Sequence, residues 1–235
     1  MNKTTKTFNS IIYGLSFMFL VLTLSISVPI LWRGFYTIHV DLLDIPNLCN
    51  HTREEILFSF NELMDCLVLY KEPFSEGVFP FSKSGMNHFL DCRILFTLDL
   101  VVLAISGLIF ISYLILIKTH RIEVYRPFGF SMLFYFSFIP IILLGALGTY
   151  ALIDVDAAFA LFHTILFPGK ENWIFNGRTD PIIYAMPEQY FLDCGILIFG
   201  VLLIILLGTI IYQIIKKIKY NGNNKYYCVN YKNKI

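Results

Sequence analysis

The sequence is short of charge. Only 15% of its 235 residues are Asp, Glu, Lys or Arg, whereas soluble domains carry about 25%. Hydrophobic residues make up 57% of the chain, an apolar excess too large for a soluble core, which indicates a membrane protein. The net charge is +1, and no folded segment shows the basic face that nucleic-acid-binding domains carry. We therefore expect no nucleic-acid partner.

Several motifs are also missing. The absence of a Gly-rich phosphate loop and of Gly-x-Ser-x-Gly argues against an ATPase and a serine hydrolase. There is no Cys-x-x-Cys and no Cys/His zinc spacing, and we expect no metal and no cofactor. The five cysteines cannot all pair within one chain. Bridges between Cys49 and Cys66 or between Cys92 and Cys194 are open alternatives to free thiols, which we favour.

Long hydrophobic runs are what the sequence has in place of charge. Four of them reach the length of about 20 residues that a membrane span requires: 11–32, 94–117, 130–153 and 195–215. In lipid such runs must be helical to satisfy their own backbone hydrogen bonds. The sequence therefore predicts an all-α integral membrane protein with four transmembrane helices. A single domain occupies 1–216, and a basic cytoplasmic tail follows over 217–235.

The orientation follows from the lysines and arginines. They gather at the N-terminus, in the loop 118–126 and in the tail, and positive segments face the cytoplasm. Both termini are therefore predicted to lie inside. The two long segments, 33–92 and 154–194, would face outward, so that a multi-pass cell-membrane protein carries its polar groups on the outer face.

Each outer segment shows a helical signal. In the first, Thr52 and Glu55 form a capping-box pattern, and apolar residues then recur at helical spacing. The second opens with a helical stretch over 156–166, breaks at Pro168-Gly169 and continues as a structured loop. We expect an amphipathic helix in the first segment and a helical loop in the second.

His88 and Asp91 are the first candidates for chemistry. They precede the second span, and on a helix beginning near Gly85 their spacing of three places them on one face. A carboxylate beside an imidazole can fix its tautomer and raise its basicity. The competing interpretation is a polar helix start with Arg93 reaching to the membrane interface.

His163 and Asp99 are the other candidates. His163 lies among aromatic residues, a setting more typical of packing, but on the same outer side as His88, so the two histidines could act as base and donor. Asp99 lies inside the second span, where acids are functional candidates by default; a plain hydrogen bond to another span is the alternative. A metal site of His88, Asp91 and His163 is disfavoured, because no further ligand motif accompanies it.

Two stretches resemble one known family, the lipoprotein intramolecular transacylases, abbreviated Lit. The first is Ser84-Gly-Met-Asn-His-Phe-Leu-Asp-Cys-Arg93, similar to the family pattern His-x-x-Asp-Val-Arg/Lys. The second contains Phe162-His-Thr-Ile-Leu-Phe167, Trp173, Thr179-Asp-Pro-Ile-Ile183 and Met186-Pro-Glu-x-x-Phe191. The resemblance covers most of 8–215. It departs at Cys92, where the family usually has Val, and at Met86-Asn87, where an acidic residue usually precedes the histidine.

The resemblance implies a four-span enzyme of low-GC Gram-positive bacteria. Such enzymes move the sn-2 acyl chain of a diacylglyceryl lipoprotein onto the α-amine of its N-terminal cysteine, giving the lyso-form. It implies His88 and His163 as the catalytic pair, with Asp91 and Asp180 orienting them. We expect the substrate to be bound by four further residues: Arg93, Asp99, Trp173 and Phe191. The hypothesis for the roles makes His88 the base, oriented by Asp91, and His163 the donor to the oxyanion. The expected partners are the lipoprotein and membrane lipid, and we expect a monomer.

Two other classes of function stay open at this point. A non-catalytic four-span scaffold that binds lipid or a partner protein would tolerate replacement of both histidines. A small transporter built around Asp99 would instead depend on that carboxylate and not on His163. Four spans without paired half-helices disfavour transport.

Overall fold

A computed structural model describes residues 2–232, with side chains as far as Tyr220. The described residues form α-helices and one 3₁₀ turn, Pro127–Gly129, and contain no strand. The helices in chain order are α1 Lys3–Leu31, α2 Arg33–Leu42, α3 Ile45–Cys49, α4 Arg53–Val68, α5 Lys83–Lys118, α6 Met132–Ile153, α7 Val155–Leu166, α8 Ile182–Ala185 and α9 Glu188–Lys232. Most of the predicted tail, 217–235, lies outside the residues whose side chains are described.

Four of these helices are long and apolar enough to cross a membrane: α1, α5, α6 and the Glu188–Tyr220 part of α9. The prediction of four spans in an all-α protein is thereby confirmed. Three of these helices, α1, α5 and α9, begin well before the apolar runs from which they were predicted. The difference matters most in α5, which starts at Lys83 rather than near 94 and so includes His88, Asp91 and Arg93.

The chain divides into two compact units. The first comprises Met1–Leu24, Val102–Gly145 and Gly200–Ile235. The second comprises Ser25–Val101 and Ala146–Phe199. The candidate site residues named above all belong to the second unit.

Aromatic rings and serine hydroxyls organise the first unit. The ring of Tyr13 stacks on that of Phe110, with 5.2 Å between centroids. Ser10 Oγ accepts a hydrogen bond from the backbone N–H of Tyr125 at 2.6 Å. Gly14 permits a close approach, because a Cβ there would come within 2.5 Å of the Phe136 ring.

The core of the second unit is built around Tyr36 of α2. Its ring stacks on Phe60 of α4 at 3.8 Å, and its hydroxyl donates to the backbone carbonyl of Ala185 in α8 at 2.7 Å. The predicted capping box is present, since Thr52 and Glu55 exchange hydrogen bonds at the start of α4. The contacts of Tyr36 join α4, the expected amphipathic helix, to α2 and join α2 to α8.

The cysteines whose side chains are described are free thiols: Cys49, Cys66, Cys92 and Cys194. Neither of the bridges considered above is formed. Cys228 lies outside the residues whose side chains are described.

Candidate active site

The first turn of α5 is anchored by Asp180. Ser82 precedes the helix, and its hydroxyl accepts from the backbone N–H of Gly85 at 3.0 Å, a capping bond. Asp180 Oδ1 accepts in turn from the backbone N–H of Ser82 at 2.8 Å. The Asp180 side chain is buried, with only 3% of the residue exposed. Its second oxygen accepts from the Thr179 hydroxyl at 2.6 Å, so this carboxylate is fixed and fixes the helix that carries His88.

Replacing Gly85 by alanine is expected to break this anchor. A Cβ at Gly85 would collide with Asp180 Oδ1, which is held in place and cannot move without losing the bond to Ser82. Losing a buried hydrogen bond to a charged group costs roughly 1–3 kcal/mol. We therefore expect Gly85→Ala to lower the midpoint of thermal unfolding in detergent and to reduce activity. Gly195→Ala is the matched control, because nothing lies within 4 Å of a Cβ there; equal behaviour of the two variants would contradict the anchor.

The structure brings the two candidate histidines together. His88 on α5 and His163 on α7 have ring centroids 5.9 Å apart, and they are 6% and 8% exposed. Aromatic rings enclose them. Trp173 stacks on His163 at 4.8 Å, and Phe167 packs edge-on against His88 at 4.8 Å. The pair therefore lies in a largely apolar enclosure that limits access of water.

The tautomer of His163 follows from its backbone contact. Its Nδ1 lies 2.8 Å from the carbonyl oxygen of Phe159, an acceptor that requires the proton to sit on Nδ1. Burial lowers the pKa of His163, and the bond to Phe159 opposes this only in part. The ring is therefore neutral near pH 7, and its Nε2 carries a lone pair that can accept a proton.

In His88 it is Nε2, and not Nδ1, that has a hydrogen-bond partner. Its Nδ1 is buried and has no hydrogen-bond partner among the described residues. Its Nε2 lies 3.5 Å from the sulfur of Cys92, one turn further along α5. In the tautomer in which the Cys92 thiol donates to Nε2, the ring proton lies on Nδ1. Nδ1–H of His88 is then an unused hydrogen-bond donor inside the enclosure.

Asp91 does not orient His88 as we expected. Its carboxylate accepts from Lys170 Nζ at 2.6 Å and from the Asn172 amide at 2.9 Å, and no hydrogen bond joins it to the imidazole. The spacing of three does place the two side chains on one face, but the ammonium group of Lys170 is the stronger partner. Asp91 thus ties the loop after α7 to α5, and with it Trp173, whose indole N–H donates to the Lys170 carbonyl at 3.0 Å.

Arg93 lies beside this arrangement and is only partly satisfied. Its Nη1 donates to Glu72 at 2.8 Å, and its guanidinium lies 5.0 Å from the centroid of the Tyr70 ring. Its Nε and Nη2 are buried and have no partner among the described residues. Those two N–H groups form the edge with which arginine holds oxygen ligands.

Phe191 and Asp99 lie farther from the histidines. The Phe191 ring is 6.0 Å from Phe159, whose own ring is 4.1 Å from that of His163. Asp99 accepts from the Ser27 hydroxyl at 2.7 Å, the plain hydrogen bond considered above. It lies about 16 Å further along α5 than His88 at the usual rise per residue, so it does not contact the histidine pair.

Sequence reasoning missed the residues that complete the enclosure. Lys170 and Asn172 follow the Pro168-Gly169 turn, and the only sequence signal for them is their position directly before Trp173. Phe175 packs edge-on against His88 at 5.4 Å. The part of the chain that the structure describes contains no group of three His, Cys, Asp or Glu side chains able to hold a metal ion.

Fold and site together define a class, namely a multi-pass membrane protein with a buried pair of histidines. The family model described as lipoprotein intramolecular transacylase Lit matches residues 11–191. The chain belongs to this family and is therefore an acyltransferase that acts on lipoproteins, which confirms the resemblance.

Solved structures show the same fold. The membrane-integral lipoprotein intramolecular transacylase Lit from Bacillus cereus superposes with a TM-score of 0.76 at 23% identity, over 89% of this chain and 96% of that chain. Two variants of the same protein, with a histidine replaced by arginine or by alanine, give TM-scores of 0.71 at 23% identity. They cover 91% and 89% of this chain and 93% and 94% of their own chains. No curated protein matched the sequence.

Proposed function

We propose that this chain converts diacylglyceryl lipoproteins to the lyso-form, using His163 as the general base and His88 as the donor to the oxyanion. The observation that carries the roles is the bond from His163 Nδ1 to the Phe159 carbonyl. It leaves Nε2 as the accepting atom, and burial disfavours the protonated ring that donation from Nε2 would need. The roles are thus the reverse of those we expected from the sequence.

The first step forms a carbon–nitrogen bond. The α-amine of the lipoprotein cysteine has an ordinary pKa of about 7.7–8.0, so a neutral fraction is available near neutral pH. Its nitrogen attacks the carbonyl carbon of the sn-2 ester while His163 Nε2 takes its proton. Negative charge develops on the carbonyl oxygen, and the Nδ1–H of His88 is placed to donate to it.

The second step breaks the ester. The tetrahedral intermediate expels the glyceryl oxygen, and His163, now protonated, returns the proton to that oxygen. An amide and a free hydroxyl result, with no net change in protons and no co-reactant. The aromatic enclosure of Trp173, Phe167 and Phe175 excludes water that would otherwise hydrolyse the ester.

Substrate contacts are proposed for three of the predicted residues. The unpaired Nε and Nη2 edge of Arg93 suits an oxygen of the glyceryl or ester group. Trp173 and Phe191 offer apolar surface next to the histidines for the acyl chains. Asp99, bonded to Ser27, lies at the depth of the acyl tails and is given no contact with the reacting atoms.

We place the site on the outer face of the cell membrane in a monomeric protein with both termini inside. The support is the positive loop 118–126 at the end of α5 opposite to His88, since positive segments stay in the cytoplasm. Lipoproteins expose their modified cysteine on the outer side of this membrane, so substrate chains would enter from the outer leaflet.

The test is a structural analysis of one lipoprotein made with and without this chain. The diacylglyceryl form and the lyso-form are isomers of equal mass, so the N-terminal peptide must be fragmented by tandem mass spectrometry. We expect the chain to create N-terminal fragment ions that carry an acyl group and to replace loss of a diacylglyceryl thiol by loss of a monoacylglyceryl thiol. An unchanged fragmentation pattern, with the protein shown to be in the membrane, would favour the scaffold instead.

Intramolecular transfer has its own readout. When two lipopeptides of different sequence are mixed, and only one carries deuterated acyl chains, the N-acyl group should keep the label of its own glyceryl group. Exchange of label between the two peptides would show transfer between molecules and contradict the proposal.

A further inference from the structure

Glu76 is a buried acid that the proposed mechanism does not use. It lies in the loop between α4 and α5 and is 1% exposed. Both of its carboxyl oxygens are buried and have no hydrogen-bond partner among the described residues. An ionised carboxylate in such a place costs far more free energy than a neutral acid, so the setting holds Glu76 in its protonated form.

The charge that acts on Glu76 is that of Asp180, the residue that anchors α5. Burial first, and the Asp180 carboxylate second, raise the pKa of Glu76 to about 8. A neutral Glu76 therefore allows Asp180 to remain a carboxylate in the same buried region.

Further titratable or charged side chains contact this loop. The Cys66 thiol of α4 faces the carbonyl oxygens of Pro73 and Ser75 at 3.8 and 3.9 Å. The His51 ring packs edge-on against Phe79 at 5.0 Å, and Arg93 of α5 donates to Glu72 at 2.8 Å.

The loop backbone directly after Glu76 is fixed against α4. Gly77 has φ +65, and a Cβ there would fall 2.5 Å from the Cα of Ser59 on α4, so the loop lies directly on that helix. The Ser59 hydroxyl also accepts from the backbone N–H of Val78 at 3.1 Å. Because the two residues that follow Glu76 are fixed on α4, the loop backbone cannot carry the carboxyl group out to solvent without breaking these contacts.

We propose that Glu76 is a positioning residue whose neutral form is required for Asp180 to hold the start of α5, so that its ionisation sets the alkaline limit of the acyl transfer. The effect on activity rests on the proposed function; the effect on folding does not. Two carboxylates in one buried region repel each other. The hydrogen bond from the Ser82 N–H to Asp180 would then break and the first turn of α5 would lose its anchor. As a result, His88 would lose its contact with His163.

The activity test compares the wild type with Glu76→Gln, which has the same size and is neutral at every pH. Transfer by the wild type should rise with pH as the substrate amine loses its proton and fall above about pH 8 as Glu76 ionises. Glu76→Gln should match the wild type at pH 7 and stay active at pH 9.5. At pH 9.5 the ionised form of a group with a pKa of about 8 exceeds its neutral form about thirtyfold. We therefore expect Glu76→Gln to react about thirty times faster than the wild type at that pH. Glu54→Gln, at an exposed position in the first turn of α4, is the matched control and should follow the wild type.

The folding test needs no substrate. In the native protein Glu76 keeps its proton up to about pH 8, whereas in the unfolded chain a glutamate loses it near ~4.3. The native state therefore binds more protons through this window, and the stability of the wild type falls as pH rises through it. The thermal midpoint of Glu76→Gln in detergent should exceed that of the wild type at pH 8, and the difference should shrink toward pH 4.

The outcomes separate the two proposals. An alkaline fall in Glu76→Gln equal to that of the wild type, or a stability difference that ignores pH, would overturn the role of Glu76. A folded Glu76→Gln that is inactive at pH 7 would overturn it as well, because the carboxyl group itself would then be required. Failure of the wild type to form the lyso product at any pH would remove the proposed function, while the pH-dependent stability difference would still stand.

Discussion

Replacement of His163 by glutamine is expected to stop acyl transfer almost completely. A glutamine amide has about the reach of the Nε2 side of the ring but cannot take a proton, and positioned general bases contribute typically 10²–10⁴-fold to a rate. We therefore expect a loss in that range for His163→Gln, measured as the initial rate of N-acyl product formation in membranes that contain equal amounts of protein.

The pH profile of the wild type gives a second readout of the same base. Because burial lowers the pKa of His163, the ring stays an acceptor below the usual histidine range. The acidic limb should then follow the substrate amine, with a pKa near ~7.7–8.0, and show no break near ~6.5, the ordinary histidine value. An inflection there that disappears in His163→Gln would mean that the base titrates normally and is not protected by burial.

The control for His163 is a histidine outside the site. His120 is exposed and has φ +55, a conformation that asparagine tolerates, so His120→Asn should be fully active. Full activity of His163→Gln would contradict the assignment of the base and return the scaffold to consideration.

The spans and the capped helix α4 were predictable from the sequence because both signals are local. Hydropathy over about 20 residues and the Thr52–Glu55 pattern need no tertiary contact to be recognised. The start of α5 was harder to place, since the polar residues from Lys83 onward do not belong to an apolar run. Only the motif around His88 suggested a helix beginning near Gly85.

The site was predictable in its two histidines and not in their surroundings. The partner of Asp91 is Lys170, 79 residues away, and no local pattern relates the two. The role of His163 depends on a bond to the Phe159 carbonyl, one helical turn earlier, which the sequence permits but does not require. The burial of Glu76 could not be predicted from the sequence, because a glutamate in a loop with two glycines and a proline is expected to be exposed.

Replacement of His88 separates the donor role from the base role by geometry. An asparagine amide nitrogen lies about where Nδ1 of the histidine was, whereas that of glutamine lies closer to Nε2, and both amides donate hydrogen bonds. Loss of a donor to a developing oxyanion costs about 10²–10³-fold in rate. We expect that loss for His88→Ala and for His88→Gln, and a partial recovery of at least about tenfold for His88→Asn, because it restores the donor at the Nδ1 position.

The same product assay measures all three variants of His88, and thermal unfolding confirms that each variant folds. If His88→Asn is folded and as inactive as His88→Ala, then the ring of His88 must accept a proton rather than donate one. The base would in that case be His88, as the sequence first suggested, and the bond from His163 to Phe159 would serve only to hold that ring in place.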